Sequence, residues 1–158
     1  MKDLLNAAEM KAVDQRSIEE YGIPSLVLME RAALEVVKRA RELLEPGLSG
    51  NEALEHGPGR ERLLKERKRK TVWAVCGFGN NGADGAAAAR MLTLQGFSSV
   101  ILLPSLEGKR SRELEVQLSI AEKLGIPILT LGDPLPEACD LILDAVFGIG
   151  LSRPVEGV

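Results

Sequence analysis

Apolar positions in the first third of the chain recur every three or four residues, whereas from Thr71 onward they gather in short continuous runs, and this change of period separates two kinds of element. Asn6 followed three positions later by Glu9 is a capping-box pattern, so a helix is expected over Ala7–Tyr21, ended by Gly22 and barred from continuing by Pro24. Ser25 is expected to cap a second helix whose buried face carries Met29, Ala33, Val36, Ala40 and Leu43, at spacings of four and three. Residues 46–70 lose the period. Glycines and prolines there precede a basic run from Lys65 to Lys70, which reads as a surface loop with a short helix near Glu61–Lys68 and a solvated helix end.

The runs Thr71–Cys76, Ser99–Leu103, Pro127–Leu131 and Asp140–Phe147 are apolar at successive positions, as strands covered on both faces require. Helices are expected between them over Asp84–Gln95 and Ser111–Leu124, stopped by Gly96 and Gly125. Strands alternating with helices pair in parallel through right-handed crossovers. The expected fold is therefore α/β: a Rossmann-like, doubly wound, mostly parallel sheet with helices on both faces and two N-terminal helices preceding the first strand. Ligands in such sheets bind beyond the carboxyl ends of the strands, which directs attention to the loops after Cys76 and Ala145. One domain spanning 1–158 is expected. Because only a few residues follow the fourth strand, that domain is expected to be incomplete at its C-terminus.

Composition agrees with this and narrows the function. Hydrophobic residues make up 45% of the 158 positions but aromatics only 3%, so the core must be filled by Leu, Ile, Val and Ala. A net charge of -3 leaves no positive field to hold nucleic acid or an anionic membrane, and no aromatic interleaves the basic run. Cys76 and Cys139 lie in or beside apolar strand-like runs, suggesting free thiols in a reducing compartment without a zinc site or disulfide framework. No apolar stretch has signal-peptide length at the N-terminus or approaches the roughly 20 residues that span a bilayer, so a soluble cytoplasmic protein is expected. The lone His56 sits in a Gly-Pro loop and is expected in solvent rather than in catalysis.

Two loops carry the candidate chemistry. Gly77-Phe78-Gly79-Asn80-Asn81-Gly82 has the Gly-x-Gly-x-x-Gly spacing between a strand and an alanine-rich helix, where glycines and free helix amides admit a phosphate. The acidic residue that would hold a ribose at the end of the second strand is replaced by Leu103-Pro104, which argues against a conventional nicotinamide dehydrogenase. Asp84 among phosphate-binding amides would repel an anion unless a cation, hydroxyl or heterocyclic amide answers it, and hard oxygen donors suit an alkali or alkaline-earth ion. The competing reading is that Asn80, Asn81 and Asp84 merely satisfy loop amides and cap the helix. In the second loop, Asp144 ends the fourth strand, Gly148 and Gly150 permit a close backbone approach, and Ser152 and Arg153 can contact a phosphate, although Arg153 equally suits a surface ion pair.

The segments PSLVLMERAA (Pro24–Ala33), CGFGNNGADG (Cys76–Gly85) and DAVFGIGLSRPVEG (Asp144–Gly157) together resemble the YjeF N-terminal domain, the NAD(P)H-hydrate epimerase family. They occur in the family's order and span nearly the whole chain. The resemblance implies an isomerase of nicotinamide-cofactor repair that interconverts the R and S forms of hydrated NADH and NADPH, called NAD(P)HX. It implies that Asn80, Asn81, Gly82, Ala83 and Asp84 contact the hydrated cofactor. It also implies that Gly148, Ile149, Gly150, Leu151, Ser152, Arg153 and Pro154 form a phosphate-side loop. Asn81 and Asp144 are implied ligands of a potassium ion. Implied partners are a second copy of the chain, as a homodimer, and an ADP- or ATP-dependent NAD(P)H-hydrate dehydratase. The periodicity itself leaves open whether the two N-terminal helices pack on the sheet or form such a dimer.

This sequence departs from the family at three places. Ala83 stands where the family commonly has Gly, so its side chain could crowd a ligand, and Ile149 replaces a common Thr and its hydroxyl. The family's Asp-x-Pro-Ser-Gly motif, with its acidic residue and a potassium-binding Ser, does not occur up to Val158, so no catalytic residue is assigned. The alternative that follows is a catalytically impaired nucleotide-binding or protein-interaction module of the same fold.

Overall fold

The computed structural model describes residues 5–46, 58–149, 151 and 154, without the side chains of 58–60. His56 and most of the 46–57 segment lie outside the described residues. Helix α1 (Ala7–Glu19) opens with the expected capping box: the Asn6 side chain accepts from the amides of Ala8 and Glu9 at 3.0 Å each, and Glu9 accepts from the Asn6 amide at 2.7 Å. It ends two residues before Tyr21, because the chain is already turning toward Gly22, whose φ of +68° reverses it.

Helix α2 (Ser25–Leu44) departs from expectation twice. Pro24 occupies the cap position, and the Ser25 hydroxyl instead donates to Glu113 at 2.7 Å. Its buried face is Met29, Ala33, Val37, Ala40 and Leu44, while Val36 and Leu43 are 40% and 56% exposed. The sequence has apolar doublets at 36–37 and 43–44, either member of which satisfies helical spacing, and packing against a neighbouring helix selects the second.

Helix α3 (Pro58–Lys68) begins earlier than expected and takes up much of the anticipated surface loop. The basic run is not wholly solvated. Arg67 is buried at 4% exposure and forks onto Glu45 at 2.6 and 2.8 Å. It also donates to the Gln95 carbonyl at 3.0 Å and lies over the Phe97 ring, 5.2 Å from its centroid. An arginine tolerates such burial only when its planar donors are met, as they are here.

The strands are β1 (Thr71–Cys76), β2 (Ser98–Leu103), β3 (Ile128–Thr130) and β4 (Leu141–Ala145), with helices α4 (Asn80–Leu94) and α5 (Arg112–Lys123) as crossovers. All pairings are parallel in the order β3-β2-β1-β4, and helices flank the sheet, giving the Rossmann-like α/β fold. Ser111 caps α5 by accepting from the Leu114 amide at 3.2 Å. Helix α4 is central: Ala83, Ala86, Ala87, Ala88 and Ala89 are fully buried between the sheet, α2 and α5. Alanine combines the best helix propensity with the smallest side chain, so a helix can be buried nearly all round.

Val72, Ala74 and Cys76 of β1 point into this core with no exposure, and burial pushes the Cys76 thiol up to about 12, leaving it an inert small hydrophobe. On the other face, coverage is thinner than the apolar runs predict: Ile142 of β4 is 57% exposed. The chain steps outward from β1 to β2 to β3, then returns to place β4 on the other side of β1. The strand order therefore reverses at β1 and β4, and in open sheets of this kind a ligand crevice lies at the carboxyl ends of the strands where the order reverses. None of the described helices is long and apolar enough to cross a membrane.

Candidate functional site

The glycine-rich turn is shorter than the sequence suggests. Helix α4 begins at Asn80 rather than near Asp84, so only Gly77-Phe78-Gly79 form the turn and Asn80 through Asp84 occupy the helix's opening residues. These five consecutive residues span more than one helical turn, so their side chains point to different sides of the helix. No side chain caps this helix, whose first amides are left open at its positive end. The turn itself is pinned from behind, since the Phe78 carbonyl accepts from the Ser111 amide at 2.8 Å.

The second loop closes against this helix start through missing side chains. A Cβ on Gly77 would collide with the Val146 carbonyl, one on Gly82 with the Gly77 carbonyl, and one on Gly85 with the side chain of Ala145. Gly148 lies beside Asn81, where an added Cβ would stand 3.2 Å from that residue's own. Glycine at these positions serves close approach, because none of the four has a positive φ. Direct bonds join the two segments: the Gly77 amide donates to the Ala145 carbonyl at 3.0 Å, and the Asn81 side chain donates to the Phe147 carbonyl at 3.0 Å.

Asp144 pairs with Val75 in register, one residue from the Cys76–Ala145 pair at the strands' ends. One of its oxygens accepts from the Val146 amide at 3.1 Å. Asn81 and Asp144 thus belong to the same rim of the sheet, linked through three intervening residues of backbone. Beyond them Phe147, Ile149 and Leu151 are exposed, and the Leu151 amide donates to the Gly148 carbonyl at 3.2 Å in a turn. Pro154 is exposed as well. Gly150, Ser152 and Arg153 lie outside the described residues.

Ala83 behaves differently from its expectation. Its methyl group has no exposure and packs with Ala74, Cys76 and Met29, so it fills the core instead of crowding a ligand. Gly82 is buried too, which leaves its backbone as the part able to meet a ligand.

Asp84, with Asn80, lines a cavity of about 260 Å³ between α1, α2 and the start of α4. Burial, and secondarily the charge of Asp14, raises its carboxyl to about 6. Asp14 was not singled out by the loop motifs. The signal was present in α1, where Met10, Asp14 and Ile18 recur every four residues and place one carboxylate within an otherwise apolar stripe. Among the described residues no cluster of three or more His, Cys, Asp or Glu side chains could hold a metal, so they offer no transition-metal centre. Amide and carboxylate oxygens of Asn81 and Asp144 are hard donors, the kind that suits a weakly bound alkali cation.

Residues 25–158 match the family described as YjeF-related protein N-terminus. The chain is 40% identical over 154 residues to the NAD(P)H-hydrate epimerase of Limosilactobacillus fermentum, covering 97% of this chain and 62% of that protein. It is 43% identical over 146 residues to the protein of the same name from Oenococcus oeni, covering 91% and 58%. A bifunctional NAD(P)H-hydrate repair enzyme, Nnr, of Thermofilum pendens is 31% identical over 158 residues, covering 96% of this chain and 26% of its own length. The crystal structure of yeast ynu0 superposes with a TM-score of 0.71 at 23% identity, over 98% of this chain and 60% of that one, a likeness of fold. The chain thus spans 62% and 58% of the two epimerases' lengths.

Proposed function

The chain belongs to the family of YjeF-related protein N-termini, and on that premise we propose that residues 1–158 form an NAD(P)H-hydrate epimerase domain, an isomerase that interconverts the R and S forms of NAD(P)HX. The carrying observation is the joining of the α4 start to the loop after β4, through the Asn81 to Phe147 bond and glycine-permitted backbone contacts, at the sheet's switch point. A nucleotide fits this place physically. Open amides of α4 meet phosphate, Gly79 of the turn leaves the approach clear, and the Asn80 and Asp84 side chains provide hydrogen-bonding partners for the ring and its amide.

Asn80 through Asp84 and Gly148 through Pro154 are the proposed contacts. Asn81 and Asp144 would hold a potassium ion, whose charge would offset the substrate's negative groups. Inverting the hydrated ring carbon requires a positioned acid or base, because a carbon–oxygen bond must break and re-form on the other face. The proposed setting is cytoplasmic, alongside an ADP- or ATP-dependent NAD(P)H-hydrate dehydratase, and the name of the bifunctional relative supports that pairing. Incubating the chain with (R)-NADHX and such a dehydratase tests the reading: faster consumption than spontaneous epimerisation allows is expected, and no acceleration would sink it.

A second reading rests on the apolar residues left open beside the site, with Ile142 57%, Phe147 52% and Ile149 74% exposed. They favour a protein-interaction module of the same fold, for which a partner protein, and not NADP(H) with potassium, would raise the melting temperature.

A further inference from the structure

Helix α1 buries no side chain completely, yet it lays Met10, Asp14 and Ile18 along the cavity that Asp84 enters. We propose that Asp14 is a positioning residue of the ligand site, whose charge on α1 biases the Asp84 carboxyl group toward donating, rather than accepting, a hydrogen bond at the bound ligand. The proposal rests on the epimerase reading for the identity of that ligand, but its primary measurement does not.

The geometry supplies the reason. Met10 and Ile18 flank Asp14 one turn to either side on the exposed rim of the cavity, while Leu28 and Met29 of α2 form its apolar inner wall, so Asp84 is the less hydrated of the two carboxyl groups. A carboxylate charge lining the same cavity disfavours ionisation of the more buried carboxyl group. Among the described residues lining the cavity, α1 contributes Asp14, α5 contributes Glu113, and α2 contributes no charged group. Glu113 is engaged by the Ser25 hydroxyl at 2.7 Å, and among the described residues no lysine or arginine lines the cavity to answer Asp84. Burial first and the Asp14 charge second accordingly raise Asp84 to about 6, where a carboxyl group exists in both protonation states near neutral pH. Met10 and Ile18 favour an apolar ring in this cavity, and a neutral Asp84 could donate to its carbonyl or hydroxyl oxygen. The phosphates would be left to the helix amides on the other side of the α4 terminus.

Carboxyl-carbon NMR titration of the whole chain, with Asp84→Asn used to assign the resonance, tests this directly. Asp84 should titrate near 6, and Asp14→Asn should move the midpoint down toward, without reaching, the ordinary 3.8. Asp14→Glu, which restores the charge on the same helix, should bring the midpoint back up; this separates charge from mere loosening of α1. An unmoved midpoint in Asp14→Asn, or a lowered one that Asp14→Glu leaves lowered, overturns the proposal. The pH dependence of thermal stabilisation by NADPH is the functional readout, and Asp14→Asn should shift it in the same direction as the Asp84 midpoint. A shifted midpoint with no epimerase activity would sink the proposed function and leave the Asp14–Asp84 relation standing, whereas activity with an unmoved midpoint would do the reverse.

Discussion

The two ends of the sheet treat polar groups in opposite ways. At the amino ends of the strands, Arg67 is enclosed and every feature around it answers its charge: the Glu45 carboxylate, the Gln95 carbonyl and the Phe97 ring. Nearby, Lys70 donates to the Leu44 carbonyl and closes the end of α2. At the carboxyl ends, the Asn81 and Asp144 side chains make one hydrogen bond each and Asp84 makes none among the described residues, so all three keep capacity in reserve. There the approach of one backbone to another depends on glycine instead of on ion pairs. One end answers the charge it encloses, and the other leaves donors and acceptors open.

That contrast can be broken most forcefully at Glu45. Glu45→Ala leaves the buried Arg67 guanidinium unanswered and should destabilise the chain by about 3–5 kcal/mol in denaturant melts. Replacing the pair together by Leu and Met should recover most of the loss. At the opposite end Gly82→Ala forces a methyl group onto the Gly77 carbonyl, for about 1–3 kcal/mol. By comparison Gly132→Ala, which has nothing within 4 Å, should stay within about 0.5 kcal/mol. Asn81→Ala removes the bond to Phe147 and should cost about 0.5–1.5 kcal/mol of stability while weakening nucleotide binding, read by calorimetry.

Asp84 sharpens the comparison through pH. Its folded carboxyl is raised, so the stabilisation it contributes is complete below 3.8 and is lost as pH rises through about 6. Asp84→Asn should therefore gain stability relative to the unaltered chain across that window, with a constant difference above it, as melts at stepped pH would record. The smallest effect is expected at Arg39, whose exposed pairing with Glu42 at 2.7 Å should be worth less than about 0.5 kcal/mol when removed by Arg39→Ala.

The sequence by itself determined the kinds of elements, their parallel arrangement and the two loops that form the candidate site. Those follow from local physics: the capping box at Asn6, the apolar runs of the strands, Gly96 and Gly125 ending α4 and α5 in left-handed conformations, and the glycines after β1. Tertiary structure alone decided which member of the Val36–Val37 and Leu43–Leu44 doublets faces inward, that Arg67 is buried, and that the Ala83 methyl belongs to the core. It also placed Asp14 across from Asp84, two residues seventy positions apart in the chain. Helical period specifies a stripe only to within about one residue, and it carries no information about which distant surface will meet that stripe. The partner that arrives through space settles burial, charge and protonation.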